Sequence, residues 1–449
     1  MFRRLSSFTD ERQRITVPSK RLLRQYVTVA VLLVASIMNY LCIDLPSPFF
    51  PQVATDKKGS KADTEVGVMF GSLQLSAFIM SVFVGGYLDR LGARFLVTSG
   101  IFLVVGCTVL FGFLEYVKEW SPFIGLSIVI RFVMGFGEAA FHATSIALLL
   151  GMFPTCAGTM WGLAGFVATV GFVFGAPLGV MLYDIEGFYF PFVVIGGILL
   201  SFTPLLWYLL SDVHSLTEGT HDDQADDDPS DNDLVVSVWQ LLKIPSVVLM
   251  LLNVFACYTA LALLDTSFAF YLYEEFGWNL PLWSEAHIGL IFLIAGGAWV
   301  ACLVIGVVVD ATNPRIVMII GLLITGCGMM IIGPSFVFSF LSPKPWCVYV
   351  AMVLLGLGVF MVTISGGPNV SQIAISRGYE TSMALNGAVS GLVLAAIFLS
   401  RTLGVPIAGF LTAALNFRIS SSFLGFASFL MMIITIVATI VKAIMSRRQ

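Results

Sequence analysis

Three ionisable side chains, Arg131, Glu138 and His142, lie in a stretch of sequence that is otherwise apolar. Together with Gly135 they fall at positions i, i+7, i+11 and i+4, so they share one face of a helix. A carboxylate, an imidazole and a guanidinium in one cavity could relay protons. The alternative, with equal standing, is a neutral histidine beside a structural Arg–Glu pair that locks two helices together.

Two aspartates, Asp44 and Asp265, end two other apolar runs and are 221 residues apart. Asp89 and Asp310 are separated by the same number of residues, which predicts an internal repeat. Asp44 and Asp265 would then face each other across a pseudo-twofold axis and could bind two separated ammonium groups of one substrate. The alternative is that both are hydrated at the outer ends of their helices. The full set of predicted substrate-binding residues is Asp44, Asp265, Glu138, Tyr40 and Tyr258.

The composition explains why such charges are unusual here. Hydrophobic residues make up 58% of the 449 residues and charged residues 11%, against about 45–50% and about 25% in globular proteins. The net charge of −4 provides no basic surface for nucleic acid. Seven isolated cysteines and four histidines form no zinc or disulfide pattern, and the common hydrolase motifs are missing. We therefore expect a membrane protein that is not an enzyme and binds neither a metal nor another cofactor.

Long uncharged runs predict twelve transmembrane helices, here called spans 1 to 12. Ten runs approach or exceed the roughly 20 residues that cross a bilayer, and residues 122–183 supply two more around a turn at 152–158. Fifteen Lys and Arg residues fall on the side of the N-terminus and six on the other side, so both termini should be cytosolic. The acidic segment between spans 6 and 7 contains no Lys or Arg and should be a disordered tether, with a regulatory segment as the alternative. The expected domains are a basic cytosolic tail at 1–25, a six-helix bundle at 26–210, the acidic linker at 211–240, a second six-helix bundle at 241–443 and a cytosolic tail at 444–449.

The loop between spans 2 and 3 reads Gly85-Gly-Tyr-Leu-Asp-Arg-Leu-Gly-Ala-Arg94. It resembles the G-x-x-x-D-R-x-G-x-R loop of the major facilitator superfamily, which implies an all-α fold of two pseudo-twofold related six-helix bundles. A carboxylate and guanidiniums at such a corner can cap helix ends and form a latch that breaks as the halves move. The copy at 306–315 lacks the glycine and the first arginine, so its latch should be the weaker one. The predicted latch residues are Gly85, Asp89, Arg90, Gly92, Arg94, Asp310 and Arg315.

Two more segments resemble motifs of this superfamily. Arg131 begins an R-x-x-x-G-x-G motif, which the resemblance associates with proton coupling. Together with the helix stripe described above, this makes Arg131, Glu138 and His142 the predicted residues of proton coupling. Small residues in span 5 resemble the glycine-rich antiporter motif and would let helices approach closely. The residues concerned are Gly171, Gly175, Pro177 and Gly179, with Pro406 in a looser copy in span 11.

Two features of the second half complete the set of expectations. Arg401 in span 11 is predicted to act in gating, because a cation site would not tolerate it unless it pairs with Asp265 or Asp44. Residues Ser365–Asn369 read Ser-Gly-Gly-Pro-Asn and should interrupt the helix of span 10.

Within this superfamily, the chain resembles the vesicular amine transporters, and among these it is most similar to the polyamine-transporting branch. The resemblance is carried by Pro48-Phe-Phe-Pro51, by Asp56-Lys-Lys-Gly59, by the run from Leu264 to Phe276 and by the run from Ala384 to Gly391. It implies export of an organic cation into an acidic compartment in exchange for protons, with Asp265 at an acidic position of the family. Met38 and Leu394 stand where monoamine members carry acidic residues, which favours a polyamine or related amine over a monoamine.

These features together predict a proton-coupled antiporter of small organic cations that works by alternating access. Its partners would be a small-molecule substrate, protons and the lipid bilayer, and the proton gradient would be the driving force. An intracellular vesicle or endolysosomal membrane is the expected location, with the plasma membrane as the alternative. A facilitator or symporter that binds an anion or neutral solute through Arg131 and Arg401 is the second hypothesis. A non-transporting receptor or scaffold is the third, but a scaffold would gain stability by losing its intramembrane charges.

Overall fold

The computed structural model describes residues 20–60, 62–212, 238–268, 271–272, 301–335 and 345–446. All regular secondary structure in these ranges is helical. Most of the predicted acidic linker (213–237) lies outside the described residues, as do residues 1–19 and 447–449. The domain boundaries therefore stay predictions.

The helices follow the apolar runs of the sequence. In the first half they are α1 (Lys20–Asp44), α2 (Phe50–Lys58), α3 (Asp63–Leu91), α4 (Ala93–Gly112), α5 (Trp120–Met152), α6 (Ala157–Glu186) and α7 (Tyr189–Leu209). In the second half they are α8 (Val238–Leu242), α9 (Pro245–Leu263), α10 (Cys302–Ala311), α11 (Pro314–Ile332), α12 (Pro345–Ile375) and α13 (Met383–Ser446). A π-helical turn at Leu264–Phe268 extends α9.

The described residues contain ten helices that are long and apolar enough to cross a membrane. The last of these, α13, is two helices in sequence, because the backbone of Asn416 leaves the helical region with φ 63°. The described helix α10 is apolar but shorter than a span, and residues 273–300 before it lie outside the described ranges. These helices correspond in order to the twelve spans expected from the sequence.

Close packing between the halves closes one face of the molecule. We call the face that carries Asp89 and Asp310 the inner face and the opposite face the outer face. Near the inner face, Gly162 of α6 packs on α10 so tightly that a Cβ there would lie 2.5 Å from the carbonyl oxygen of Cys302. On the other side of the bundle, Gly391 of α13 packs against the backbone of α3. Small residues at both crossings allow the backbones to touch, so the inner face is shut.

α12 passes without a break through the segment expected to interrupt it. The helix runs from Pro345 to Ile375 with Pro368 inside it. The expected interruption is therefore wrong. A proline removes one backbone hydrogen bond, and helices inside a packed bundle tolerate that loss because neighbouring groups compensate for it.

On the outer face, the short helix α2 is tied to the end of α4 by Lys57. Its ammonium donates to the carbonyl oxygens of Leu114, Glu115 and Val117 at 3.5, 3.3 and 2.5 Å. It also lies 4.3 Å from the centre of the Phe123 ring. Burial lowers the pKa of Lys57, and the charge of Glu115 opposes that shift. The lysine thus binds carbonyl oxygens at the end of this helical turn and anchors the outer loops.

Candidate functional site

A cavity of about 800 Å³, which includes some space open to solvent, lies between the two halves. Helices α1, α3, α5 and α6 line it from the first half, and α9, α12 and α13 from the second. Its polar and aromatic side chains are Tyr40, Gln74, Glu138, His142, Trp161, Thr169, Phe172, Tyr258, Phe360, Thr363, Phe398 and Arg401. The sequence prediction named Tyr40, Glu138, His142, Tyr258 and Arg401 among these, and the fold brings them together.

The glycines of the predicted antiporter motif set the position of α1. Gly171 of α6 packs against Tyr40, and a Cβ at Gly175 would lie 3.0 Å from the Cβ of Asp44. One turn further, Gly179 lies against the carbonyl of Leu45. Glycines at a spacing of four residues form one stripe along α6, so the α1 backbone approaches closely and Tyr40 is directed into the cavity.

Glu138 is the only acidic side chain among the described residues that line the cavity. It is 2% exposed, and its Oε2 has no hydrogen-bond partner. Gln74 also presents an unpartnered side-chain oxygen. A buried acceptor without a donor is costly, so both oxygens leave hydrogen-bonding capacity unused at the cavity wall.

His142 pairs with Tyr40 and not with its helical neighbour Glu138. The Tyr40 hydroxyl contacts Nδ1 of His142 and lies 3.0 Å from Nε2. The two rings meet edge to face at 5.2 Å. The hydroxyl and the imidazole therefore connect α1 to α5 at the wall of the cavity, beside Glu138.

Arg401 is held by aromatic rings and not by a carboxylate. Its guanidinium lies 5.4 Å from the centre of the Phe172 ring and 5.8 Å from that of Tyr258. Within the described part of the chain, Arg401 forms no ion pair, so the expected pairing with Asp44 or Asp265 is not made. It interacts electrostatically over a longer range with Glu138 and with both aspartates.

Arg131 lies behind the cavity wall and does not line it. It is 2% exposed and donates from Nη1 to the carbonyl of Ile43 at 2.9 Å. The rings of Phe70 and Phe111 lie 5.5 and 5.2 Å from its guanidinium. These contacts tie α5 to α1. A direct role of Arg131 in proton transfer stays a prediction.

Asp44 and Asp265 do not line the cavity either. Asp44 is half-buried and accepts a hydrogen bond from Ser47 at 2.9 Å. Asp265 lies in the π-helical turn, where its side chain is exposed. The two carboxylates interact electrostatically, but both lie nearer to the outer face than the cavity does.

The hydrogen bonds of the two loop aspartates, Asp89 and Asp310, reverse the order of strength that was expected for the two latches. Asp310 accepts hydrogen bonds from the backbone amides of Gly158 and Thr159 at 2.6 and 2.7 Å, and from the Thr159 hydroxyl at 2.5 Å. Asp89 is exposed and has no hydrogen bond or ion pair with any described residue. The expectation that the second copy is weaker is therefore wrong. Its partner is a helix N-terminus, which binds a carboxylate without help from the missing arginine.

The other predicted latch residues serve local packing. The guanidinium of Arg90 lies 5.8 Å from the Tyr87 ring, and that of Arg94 lies 3.7 Å from the Trp207 ring. Gly92 has a φ of 79° at the corner between α3 and α4. Arg315 begins α11, and its backbone amide is capped by Asn313. Pro177 and Pro406 both lie inside continuous helices.

Sequence reasoning missed four polar residues of the cavity, Gln74, Trp161, Thr169 and Thr363. One side-chain atom of Gln74 and one of Trp161 are buried without a hydrogen-bond partner. None of the four residues is ionisable, so the cost of burying a charge did not draw attention to them. Which polar atoms lack a partner is visible only in three dimensions.

Comparison with known proteins gives a consistent result. A sequence model of the Major Facilitator Superfamily matches residues 32–392. The human MFS-type transporter SLC18B1 is 29% identical over 403 residues, which cover 88% of this chain and 83% of the relative. The human chromaffin granule amine transporter is 22% identical over 358 residues, or 79% of this chain and 61% of the relative. A probable vesicular acetylcholine transporter of Danio rerio is 27% identical over 40% of this chain and 36% of its own length.

Among solved structures, the crystal structure of the human organic anion transporter MFSD10 (TETRAN) superposes with a TM-score of 0.68. The match covers 92% of this chain and 99% of that one, at 14% sequence identity, and so it speaks for the fold alone. The all-α architecture and the resemblance to vesicular amine transporters, both expected from the sequence, are confirmed.

Proposed function

The chain belongs to the major facilitator superfamily, and we propose that this membrane transporter is a proton-coupled antiporter of small organic cations. The observation that carries the proposal is Glu138, the one acidic side chain among the described lining residues, which is buried at a cavity with aromatic walls and has a carboxylate oxygen without a partner. An ammonium group can donate to Glu138 and Gln74 while the rings stabilise its charge. Relatives named as amine and acetylcholine transporters support a cationic substrate.

Proton coupling follows from competition for one carboxylate. Ionised Glu138 attracts the substrate ammonium, and a proton bound to the same oxygen removes that attraction. A cation and a proton that exclude each other at one site, which faces one side of the membrane at a time, are exchanged in a fixed ratio. The hydroxyl of Tyr40 and the imidazole of His142 lie beside the site and provide a path for the proton.

Arg401 regulates this competition. Its guanidinium interacts electrostatically with Glu138 from a distance without forming an ion pair that the substrate would have to break. Phe172 of the first half and Tyr258 of the second hold it at the interface. We expect Arg401 to keep the carboxylate of the empty site available to either the proton or the substrate cation. The cytosolic position of the inner face and of both termini, and a location in a vesicle or endolysosomal membrane, are parts of the same proposal.

The test is uptake of labelled putrescine, spermidine, monoamines and organic anions into proteoliposomes with an imposed pH gradient. The proposal expects uptake of at least one amine to depend on the gradient and to fall when Glu138 is changed to Gln. A variant at the outer surface, Glu119→Gln, is the matched control. Amine uptake that ignores both the gradient and Glu138 would contradict the proposal.

A second candidate is transport of an organic anion through Arg401. It is favoured by one observation, the absence of any ion pair to Arg401 within the described ranges. In this case the anion would supply the missing carboxylate. Anion uptake that disappears in Arg401→Ala and survives in Glu138→Gln would replace the cation proposal.

A further inference from the structure

Three basic residues, Arg315, Arg377 and Lys442, lie at the inner ends of three helices of the second half. Arg315 is in the first turn of α11, Arg377 is in the turn that follows α12, and Lys442 is near the end of α13. Lys442 interacts electrostatically with both arginines. Three positive charges therefore share one corner of the inner face.

Contacts deeper in the bundle fix the relative heights of these three helices. The side-chain amide of Asn253 on α9 donates to the sulfur of Met318 on α11 at 3.3 Å and to the hydroxyl of Thr435 on α13 at 2.9 Å. The side-chain amide of Asn369 on α12 lies 4.0 Å from the same sulfur. These contacts mark one common level in the three helices. From that level the basic residues are three, seven and eight residues closer to the inner face, so they lie within about 8 Å of one another in height.

The described part of the protein provides no counterion for this cluster. None of the three basic side chains forms an ion pair with a described residue. The nearest acidic residues in the sequence are Asp310, which is bonded to the start of α6, and Glu380, which is exposed. Other arginines of the inner face do have protein partners: Arg24 donates to a backbone carbonyl at 3.1 Å, and Arg94 lies 3.7 Å from the Trp207 ring. Like charges that repel one another favour an anion supplied from outside the protein.

The surface beside the cluster is apolar. Ile316, next to Arg315, is 54% exposed, and Ile440 and Val441, next to Lys442, are 52% and 48% exposed. Exposed aliphatic side chains on a membrane-spanning helix contact lipid chains, which are as apolar as they are. An acidic protein segment would have to lie across this apolar surface. An anionic phospholipid matches both parts, since its phosphate can face the cations while its acyl chains lie against the aliphatic side chains.

We propose that Arg315, Arg377 and Lys442 bind the phosphate headgroup of one anionic phospholipid at the inner face, with its acyl chains along α11 and α13. Guanidinium groups bind phosphate oxygens through charge-assisted hydrogen bonds, and the ammonium adds a third positive charge. The site is separate from the cavity, so the lipid binds whether or not a substrate is present. All three basic residues belong to the second half, so the lipid can stay bound while the two halves move relative to each other.

The test measures lipid binding to the purified full-length protein by native mass spectrometry, with phosphatidylglycerol compared with phosphatidylcholine. The first phosphatidylglycerol should bind at least about tenfold more tightly than the first phosphatidylcholine, since each basic group near a membrane surface contributes about fivefold. Arg315→Gln and Lys442→Gln should each lower this preference about three- to fivefold and leave binding of phosphatidylcholine unchanged. Arg315→Lys keeps the charge and should keep most of the preference.

Arg90→Gln is the matched control, because it removes the same charge from an exposed position of the same face in the first half. It should keep the wild-type preference. Equal binding of the two lipids by the wild type, or an equal loss of preference in Arg90→Gln, would overturn the site. A preference that emerges only when the aspartates of residues 213–237 are changed to asparagine would also overturn it, because the acidic linker would then be the occupant of the cluster.

Discussion

Asp310 and Thr159 join the two halves of the transporter at its inner face. One carboxylate oxygen of Asp310 accepts from the Thr159 amide at 2.7 Å and from its hydroxyl at 2.5 Å, while the other accepts from Gly158. The contact is a helix cap supplied from across the interface, since Asp310 ends α10 and Thr159 begins α6. The inner closure thus includes a bond that must break each time the inner face opens.

Replacing Asp310 with Ala should therefore favour opening of the inner face. Loss of a charged N-cap costs about 1–2 kcal/mol, which corresponds to a shift of roughly five- to thirtyfold in the equilibrium. Cys302 is buried at this closure, so its labelling rate by a permeant maleimide, with the other cysteines replaced, should rise by that factor. Asp89→Ala is the matched control, because Asp89 is exposed and unbonded among the described residues. Equal effects of the two variants on the labelling rate would contradict the conclusion that Asp310, and not Asp89, holds the inner face closed.

Glu138→Gln separates coupling from exchange. Without the carboxylate of Glu138 no proton can bind in exchange for the substrate, so uptake driven by the pH gradient should be abolished. Counterflow, the exchange of labelled for unlabelled substrate, needs no net proton movement and should be partly retained. Equal loss of both activities would mark Glu138 as a binding or packing residue, and wild-type coupling would remove it from the mechanism.

Gly171→Ala tests whether the glycine stripe sets the position of α1. A methyl group there meets the side chain of Tyr40, and overpacking of this kind costs about 1–3 kcal/mol. Thermal unfolding in detergent should shift to lower temperature, and the Tyr40–His142 contact should be displaced, so the transport rate should also fall. Gly106→Ala on α4 is the control, because a Cβ at Gly106 would meet no atom within 4 Å. A silent Gly171→Ala would show that α1 is positioned by other contacts.

Arg401→Ala should impair coupling more than cation binding. The guanidinium forms no ion pair that binding would have to replace, but it interacts electrostatically with Glu138 over a distance. We expect proton leak or loss of gradient-driven accumulation, with substrate affinity within about threefold of wild type. Uptake and affinity measured on the same preparation distinguish the two effects. Binding that vanishes in this variant would support the anion hypothesis.

Asp44→Asn and Asp265→Asn should each weaken cation transport, and Asp265→Asn should have the larger effect. Both residues lie towards the outer face and interact with Arg401 electrostatically, so they can guide a cation to the site without binding it there. Their effects should therefore shrink at high ionic strength. Normal transport by both variants would leave the two aspartates as hydrated ends of helices.

The sequence predicted the described helices and two charged residues of the site, Glu138 and Arg401. The same reasoning also selected Asp44, Asp265 and Arg131, which do not line the cavity. Apolar length identifies spans, and the cost of a buried charge singles out Glu138 and Arg401. The partner of Asp310 was out of reach because a helix N-terminus provides backbone amides, which carry no signature in the sequence. Trp161 was missed for a related reason: an indole in an apolar run looks like packing until its N–H is found without an acceptor.

The opposite charges of Glu138 and Arg401 have an electrical consequence. When Glu138 is ionised and His142 is neutral, these two lining side chains cancel, and the empty cavity carries no net charge. A membrane potential then does no work on the empty carrier as it reorients. One bound proton, or one monovalent cation, leaves the cavity with a single positive charge. The membrane potential therefore does the same electrical work on the proton-bound form as on the cation-bound form. The voltage therefore cancels from an exchange of one proton for one such cation, and the pH gradient alone drives it.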